Sequence, residues 1–224
     1  MAPPPRLFRD RAHAGIVLAE RLRDMVAGTD AIVLVLPRGG VPVGHAVAQV
    51  LQLPFDLFLV RKLGLPGDEE LALGAVANGG IQVLNEDLVR YLRVPSETIR
   101  QIAQTERAEI ARQEQLYRQG RTPLSITERT VILVDDGIAT GATMRAAIKA
   151  LRQKAPERII VAAPVAPSEV CGSLQSDADN VVCVANPQPF HAVGVWYESF
   201  PQTTDDEVRL LLLHQPTGAS LNSI

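Results

Sequence analysis

The chain has 224 residues, of which 46% are hydrophobic and 21% charged, a composition that excludes a mostly disordered protein and suits one compact domain. Its net charge of −3 disfavours a general nucleic-acid-binding role, since a duplex binder usually carries a basic excess. We expect no membrane association, because no apolar run approaches the roughly 18 residues of a membrane helix and the first residues lack the apolar region of a secretory signal.

Two hydrophobic patterns alternate along the chain. Stretches with apolar residues at helical spacing alternate with short continuous apolar runs, which are typical of strands buried on both faces. In chain order, the predicted elements are a helix over 10–27, a strand over 31–36, a helix over 43–51, a strand over 55–60, a loop over 61–70, a hairpin formed by 71–76 and 81–84, a helix over 95–120, a strand over 130–134, a helix over 141–154, a strand over 159–165, a helix over 168–174, a strand over 181–185 and a helix over 205–213. This order predicts an α/β fold with a mainly parallel sheet, in which ligands bind beyond the carboxyl ends of the strands.

Cysteine and histidine usage points to little chemistry. Cys171 and Cys183 lie outside CxxC spacing, which predicts reduced thiols in a cytoplasmic protein. The four histidines show no metal-ligand spacing, so each is interpreted as a structural or surface residue.

The most informative segment follows the predicted strand over 130–134. Asp135 and Asp136 come directly after that strand, and a short Thr-Gly-Ala-Thr loop then opens a helix. A helix N-terminus offers unpaired backbone N–H groups and the positive end of its dipole to a phosphate. Carboxylates accept hydrogen bonds from a vicinal diol. Together these groups predict a ribose 5-phosphate site.

Common nucleotide-binding loops fit this segment less well. It lacks the Lys and the spacing of a P-loop, and no GxGxxG follows a strand. A doubled Asp also serves Mg²⁺-dependent phosphoryl sites such as those of receiver domains, but the threonine loop is not expected there. A capping loop with solvated acids stays open as a purely structural alternative.

Residues 131–143 closely resemble the PRPP-binding motif of the type I phosphoribosyltransferases, PRPP being 5-phosphoribosyl 1-diphosphate. That motif has four hydrophobic residues, two acids, two mostly apolar residues and a Thr-Gly-x-Thr type phosphate loop. The resemblance extends roughly from Leu34 to Ala185 and implies a five-stranded parallel sheet flanked by helices, with a small variable hood that holds the acceptor. We therefore expect a single domain over residues 1–218, with a flexible loop at about 63–80, a hood at about 186–204 and a tail at 219–224.

The resemblance also implies roles for single residues of the motif. Asp135 and Asp136 would be the catalytic and metal-binding pair, which contacts the ribose hydroxyls directly or through Mg²⁺ and water. Two positions depart from the family pattern, because Gly137 stands where a larger apolar residue is usual and Ala139 stands where 6-oxopurine transferases carry an Asp. The second departure disfavours a hypoxanthine–guanine enzyme. The residues expected to bind the 5-phosphate are Ala139, Thr140, Gly141, Ala142 and Thr143.

The diphosphate end of PRPP needs donors of its own. A helix N-terminus contributes at most about 2 kcal/mol to a bound anion, whereas micromolar binding needs about 8 kcal/mol. Arg38, Gly39 and Gly40 follow the first predicted strand and resemble the family's pyrophosphate loop. Arg61 and Lys62 follow the second predicted strand, where the resemblance places a lysine near the pyrophosphate. A solvated surface turn and ordinary solubility are the respective alternatives.

Aromatic residues cluster between residues 186 and 204, which include the only Trp of the chain. Aromatic rings stack on planar bases, so Phe190, Trp196 and Tyr197 are candidates for binding the acceptor in the hood. A small satellite core packed on the last helix is the alternative.

The resemblance implies a phosphoribosyltransferase that uses PRPP and Mg²⁺, transfers the phosphoribosyl group to a nitrogen acceptor, with a nucleobase expected, and releases pyrophosphate. A homodimer is usual in the family and is expected here. Two alternatives stay open: a regulator of the same fold that senses PRPP or a nucleotide without turnover, and a transferase with a non-nucleobase acceptor. The enzyme is favoured, because the sequence shows neither an added helix-turn-helix nor a basic excess.

Overall fold

The computed structural model describes residues 6–214, and the predicted tail at 219–224 lies outside this range. No helix in this range is both long and apolar enough to cross a membrane. The α-helices are α1 (Arg11–Val26), α2 (Gly40–Leu51), α3 (Glu86–Tyr91), α4 (Ser96–Arg118), α5 (Ala142–Arg152), α6 (Ser168–Leu174) and α7 (Asp205–Leu213). The strands are β1 (Ala31–Val35), β2 (Phe55–Leu57), β3 (Val60–Leu65), β4 (Asp68–Ala77), β5 (Ile81–Leu84), β6 (Thr130–Val134), β7 (Arg158–Val165) and β8 (Asn180–Ala185).

Five parallel strands form the main sheet in the order β2-β1-β6-β7-β8. Every residue of β1 and β6 is buried, since helices cover both faces of the sheet, and this explains the continuous apolar runs of these strands. The helices α1, α2, α4 and α7 pack on one face, and α5 and α6 pack on the other. The predicted fold class, a parallel five-stranded sheet flanked by helices, is confirmed.

The strand order reverses between β1 and β6. From β1 the chain builds outward to β2, and after the second sheet it returns beside β1 and builds from β6 to β8 in the opposite direction. The loops that follow β1 and β6 therefore leave the sheet side by side and lead into helices on opposite faces. In open α/β sheets this switch point is where ligands bind.

A second, antiparallel sheet of β3, β4 and β5 forms the hood. The expectation of a loop over residues 61–70 is wrong, because most of these residues belong to β3 and β4. The same two strands make up most of residues 63–80, whose flexibility stays a prediction. The glycines here serve close packing and turning: a Cβ on Gly74 would lie 2.1 Å from the carbonyl oxygen of Val83 on the next strand, and Gly67 turns the chain with a φ of 89°. The predicted hairpin is present as β4 and β5.

The predicted strand over residues 55–60 is divided between the two sheets. Its first part is β2, and its last residue, Val60, begins β3. Phe58 and Leu59 connect the two strands and are as buried as strand residues, so the apolar run continues through the crossing. Arg61 and Lys62 consequently lie within the hood sheet instead of just beyond a strand of the main sheet.

Residues 186–204, predicted as the hood, instead tie the N-terminal segment to the main sheet. Phe8 forms an isolated parallel bridge with Tyr197, and both rings belong to a small core that includes Trp196 and Ala14 of α1. The satellite core foreseen as an alternative is therefore present, but it packs on α1 and not on the last helix.

A disulfide joins Cys171 of α6 to Cys183 of β8, so the prediction of reduced thiols is wrong in this structure. The two residues are 12 positions apart, on a helix and a strand that pack together. Spacing along the sequence does not reveal this proximity, because it arises from the return of the chain from α6 to the edge strand.

A buried ion pair fixes the end of α4 against β2. Arg118 donates hydrogen bonds to Oδ1 of Asp56 at 2.6 Å and to the carbonyl oxygen of Leu57 at 2.9 Å. The other carboxylate oxygen of Asp56 accepts from the backbone N–H of Leu124 at 2.9 Å. The side chains of Arg118 and Asp56 are only 5% and 6% exposed, so Asp56 is the main compensation for the Arg118 charge, with Glu114 at 3.9 Å as a second, longer contact.

We predict that Asp56→Ala lowers the free energy of unfolding by about 3–5 kcal/mol, because the buried Arg118 charge then keeps only a long contact with Glu114, 3.9 Å from its Nε. Asp30→Ala is the matched control, since Asp30 pairs with Arg129 while 73% of its side chain is exposed, and it should cost less than about 1 kcal/mol. Urea denaturation of both variants measures the difference, and equal losses would contradict the prediction.

Candidate functional site

The loops after β1 and β6 meet at the switch point. The peptide bond between Pro37 and Arg38 is cis, and the turn that follows leads into α2. A Cβ on Gly39 would lie 2.2 Å from Oδ2 of Asp136, and a Cβ on Gly40 would lie 3.2 Å from Oδ1 of Asp135. The glycines therefore allow the start of α2 to lie directly against the two carboxylates.

Asp135 and Asp136 stand side by side at the end of β6, both partly buried. Burial raises the pKa of Asp135 well above its ordinary value, and the neighbouring Asp136 carboxylate raises it further. Burial also raises the pKa of Asp136, although a hydrogen bond from Arg11 opposes this shift. The site thus combines two adjacent carboxylates with a nearby cation.

Arg11 of α1 supplies that cation, and no sequence pattern pointed to it. Its Nε donates to Oδ2 of Asp136 at 2.8 Å, and its Nη1 donates to the carbonyl oxygen of Pro201 at 2.6 Å. The guanidinium carbon lies 3.6 Å from the centre of the Phe200 ring. Arg11 is 125 residues from Asp136 and lies on a helix whose pattern predicts only packing, so no local signal could have connected the two.

Tyr197 holds the main chain of the same aspartate. Its hydroxyl donates to the carbonyl oxygen of Asp136 at 2.5 Å. Burial raises the pKa of Tyr197, and the negative charge of Asp136 raises it further, which keeps the hydroxyl protonated as a donor. Tyr197 was a candidate for binding the acceptor base, but the structure gives it a contact with the acid pair.

Trp196, also predicted to bind the acceptor, is buried in the satellite core. Its side chain is 4% exposed within the satellite core, where its ring centre lies 6.4 Å from that of Phe190. A buried indole has no free face on which a base could stack, so Trp196 is not placed to bind the acceptor in this structure.

The loop that opens α5 faces solvent with its polar groups. Thr140 and Thr143 are exposed, whereas Gly141 is buried with a φ of 76°, and a Cβ on it would lie 3.0 Å from Val170 of α6. The backbone N–H groups in the first turn of α5 have no acceptor within the helix, so the loop suits a phosphate. The structure brings the predicted phosphate-binding residues together in this one loop: Ala139, Thr140, Gly141, Ala142 and Thr143.

The predicted pyrophosphate-binding cations lie in two places. Arg38 stands beside the start of α2, and its guanidinium is 3.5 Å from Asp205 of α7, with both side chains more than one-third exposed. Arg61 pairs with Glu106 of α4, and Lys62 lies next to it in β3, opposite Ala75 of β4. Of these three cations, Arg38 alone belongs to the rim of the main sheet.

The donor set fits Mg²⁺ only together with a phosphorylated ligand. Within residues 6–214, no group of three or more His, Cys, Asp or Glu side chains is placed to hold a metal ion. Mg²⁺ keeps several waters and is usually held by one or two carboxylates plus the phosphates of a substrate. Asp135 and Asp136 are the two carboxylates of the site that could contribute to such a set of ligands.

A parallel α/β sheet with an acid pair and a helix N-terminus at its switch point places this chain in the class of open α/β proteins, whose ligand sites lie at that point. Residues 66–198, more than half of the chain, match the family model of the phosphoribosyl transferase domain. The chain belongs to this family, and the resemblance stated from the sequence is confirmed.

Individual relatives agree with this assignment. Proteins from two strains of Mycobacterium tuberculosis, provisionally named phosphoribosyl transferases, are 43% identical to this chain over 203 residues, which cover 91% of this chain and 46% of each relative. The chain therefore spans about half the length of these curated relatives. The crystal structure of TT1426 from Thermus thermophilus is also 43% identical, with a TM-score of 0.85, and the match covers 92% of this chain and 97% of that protein.

We predict that Asp135→Asn raises the Tm at neutral pH. Because the pKa of Asp135 is higher in the folded state than in the unfolded chain, ionisation of this carboxyl lowers the free energy of unfolding as the pH rises. The neutral amide removes that penalty, so the gain should vanish near about pH 3, where the carboxyl is protonated in both states. Each kcal/mol added to the free energy of unfolding raises the Tm by about 2–4 °C in a chain of this size.

Thermal melts of the wild type and Asp135→Asn across the acidic and neutral range check this prediction. A Tm difference that stayed constant with pH would contradict it, since the expected gain depends on the charge of the carboxylate.

Proposed function

We propose that this phosphoribosyl transferase domain uses PRPP and Mg²⁺ to transfer the 5-phosphoribosyl group to a nitrogen acceptor, a nucleobase by first expectation, and releases pyrophosphate. One observation carries the proposal: the glycine turn after β1 touches the acid pair, and the open threonine loop follows that pair directly. Donors for anions thus lie on both sides of acceptors for hydroxyls. PRPP has the same order of groups, with its diol between a phosphate and a diphosphate.

Each part of the proposed substrate has partners in the chain. The N–H groups and hydroxyls of the threonine loop bind the 5-phosphate, and Asp135 and Asp136 accept hydrogen bonds from the ribose hydroxyls. Arg38 binds the pyrophosphate and exchanges its exposed contact with Asp205 for the anion. The first turn of α2 adds few donors, because the N–H groups of Gly40 and Val41 already donate to Leu36 and Arg38 and Pro42 has none. Lys62 stays a prediction for the same group, approaching from the hood sheet.

The proposed step is a displacement at C1 of the ribose. The acceptor nitrogen donates its lone pair to form the C1–N bond, the C1–O bond to pyrophosphate breaks, and the pyrophosphate leaves with that electron pair. A proton on the acceptor nitrogen is lost to solvent. Bound Mg²⁺ supplies charge neutralisation for the diphosphate, and Asp135 and Asp136 would hold it. The chain itself contributes orientation and fixed donors.

Product analysis tests the proposed activity. The protein is incubated with PRPP, Mg²⁺ and a mixture of purines, pyrimidines and amines, and the products are identified by mass spectrometry together with released pyrophosphate. A phosphoribosylated product is expected, and its identity separates a nucleobase from another amine. Tight PRPP binding with no pyrophosphate release for any acceptor would contradict the proposed transferase activity and favour a protein that senses PRPP without turnover. The cytoplasmic location and the homodimer stay predictions.

We predict that combining Asp135→Asn with Asp136→Asn abolishes PRPP binding and leaves the fold intact, because amides are weaker acceptors for the diol and carry no charge for Mg²⁺. Calorimetric titration with PRPP and Mg²⁺ measures the affinity. Asp24→Asn with Asp87→Asn removes the same charge from exposed positions and should bind as the wild type does. Unchanged affinity in the first double variant would rule out these roles.

A second prediction concerns the close contact of the two loops. In Gly39→Ala the new Cβ would lie 2.2 Å from Oδ2 of Asp136, so the carboxylate must move. We expect PRPP affinity to fall about 10- to 100-fold. Gly172→Ala is the matched control, since nothing lies within 4 Å of its Cβ position. If both variants bound PRPP equally well by calorimetry, contact between the turn and the acid pair would not matter for the site.

A further inference from the structure

Asp136 is held from three sides by residues outside the motif that contains it. Arg11 donates to its Oδ2, Tyr197 donates to its carbonyl oxygen, and Gly39 packs against its carboxylate. This carboxylate therefore has little freedom to rotate. Since a carboxylate can accept about four hydrogen bonds, the one from Arg11 leaves the others for a ligand.

Arg11 is itself held in one orientation. Besides the bond to Asp136, its guanidinium donates to the carbonyl oxygen of Pro201 and lies over the ring of Phe200. It is 9% exposed, and a planar guanidinium makes these contacts in fixed directions. An ammonium group would keep the charge but could not reproduce all of them.

The segment that carries Pro201 and Phe200 is fixed to the start of α1. The backbone N–H of Phe8 donates to the carbonyl oxygen of Trp196 at 3.1 Å, and the N–H of Glu198 donates back to Phe8 at 2.8 Å. The ring of Tyr197, whose hydroxyl reaches Asp136, packs on Phe8 with 5.4 Å between the ring centres. The satellite core thus holds Arg11 and Tyr197 as one unit against the acid pair.

We propose that Arg11 is a positioning residue for ribose recognition, which orients the Asp136 carboxylate so that it accepts from the sugar hydroxyls. The inference rests on the proposed function. It assigns selectivity for a hydroxyl-bearing sugar to a residue that does not touch the sugar, and it separates this role from binding of the phosphoryl groups. Loss of Arg11 should therefore lower the affinity for ligands that carry the diol and leave the affinity for ligands without it unchanged.

Calorimetry on Arg11→Met and Arg11→Lys tests this separation, with Mg²⁺ present throughout. Arg11→Met should weaken PRPP about 10- to 100-fold and leave the affinity for inorganic pyrophosphate unchanged. The preference for ribose 5-phosphate over 2-deoxyribose 5-phosphate should fall towards one. Arg11→Lys should recover part of the PRPP affinity. Arg21→Met, at an exposed position of the same helix, is the control and should match the wild type.

The outcomes separate this inference from the proposed function. If the wild type binds PRPP and Arg11→Met binds it equally well, or loses PRPP and pyrophosphate to the same extent, Arg11 has no positioning role and the proposed function stands. If the wild type does not bind PRPP, both fall. Should Arg11→Met fail to fold, the same ratios measured on Arg11→Lys decide, with a smaller expected loss of PRPP affinity.

Discussion

Two adjacent carboxylates in a partly buried position repel each other, and the surroundings of Asp135 and Asp136 are built around that repulsion. The guanidinium of Arg11 lies against the pair. The backbone N–H of Asp136 donates to the Asp135 carboxylate at 2.9 Å. The pKa of each carboxyl is nevertheless raised, so the pair is incompletely compensated and suits a ligand that brings hydroxyl donors and a divalent cation.

The need to hold a cation against the acid pair gives the satellite core a structural role. The rings of Phe8, Trp196 and Tyr197 form a small cluster with Val165 of β7, and they join the N-terminal segment to the chain beyond β8. That junction places the guanidinium of Arg11 and the hydroxyl of Tyr197 against Asp136, which is distant from both in the sequence. Packing energy from a small apolar cluster thus maintains the geometry of a polar site, which is a common way to preorganise charged groups.

Glycine has three different uses in this fold. Gly39 allows two loops to touch at the switch point, Gly74 allows neighbouring strands of the hood to pack, and Gly141 turns the chain into α5 with a positive φ. A high local density of glycine indicates flexibility only when no partner approaches the bare Cα. In the hood a partner approaches Gly74 within the sheet, whereas Gly67 and Gly80 lie in the turns between strands, with no atom within 4 Å of their Cβ positions.

Local sequence was enough to predict the parallel α/β sheet, because doubly buried strands must be continuously apolar, and to predict the acid pair with its threonine loop, because these groups are contiguous at one strand end. It also placed Arg38, Gly39 and Gly40 at the neighbouring strand end. Long-range packing, by contrast, set the partner of Asp136, the division of the 55–60 run between two sheets, the burial of Trp196 and the disulfide. Each of these depends on contacts between residues that are distant in sequence or on a change of direction within an unbroken apolar run, and local pattern carries no information about either.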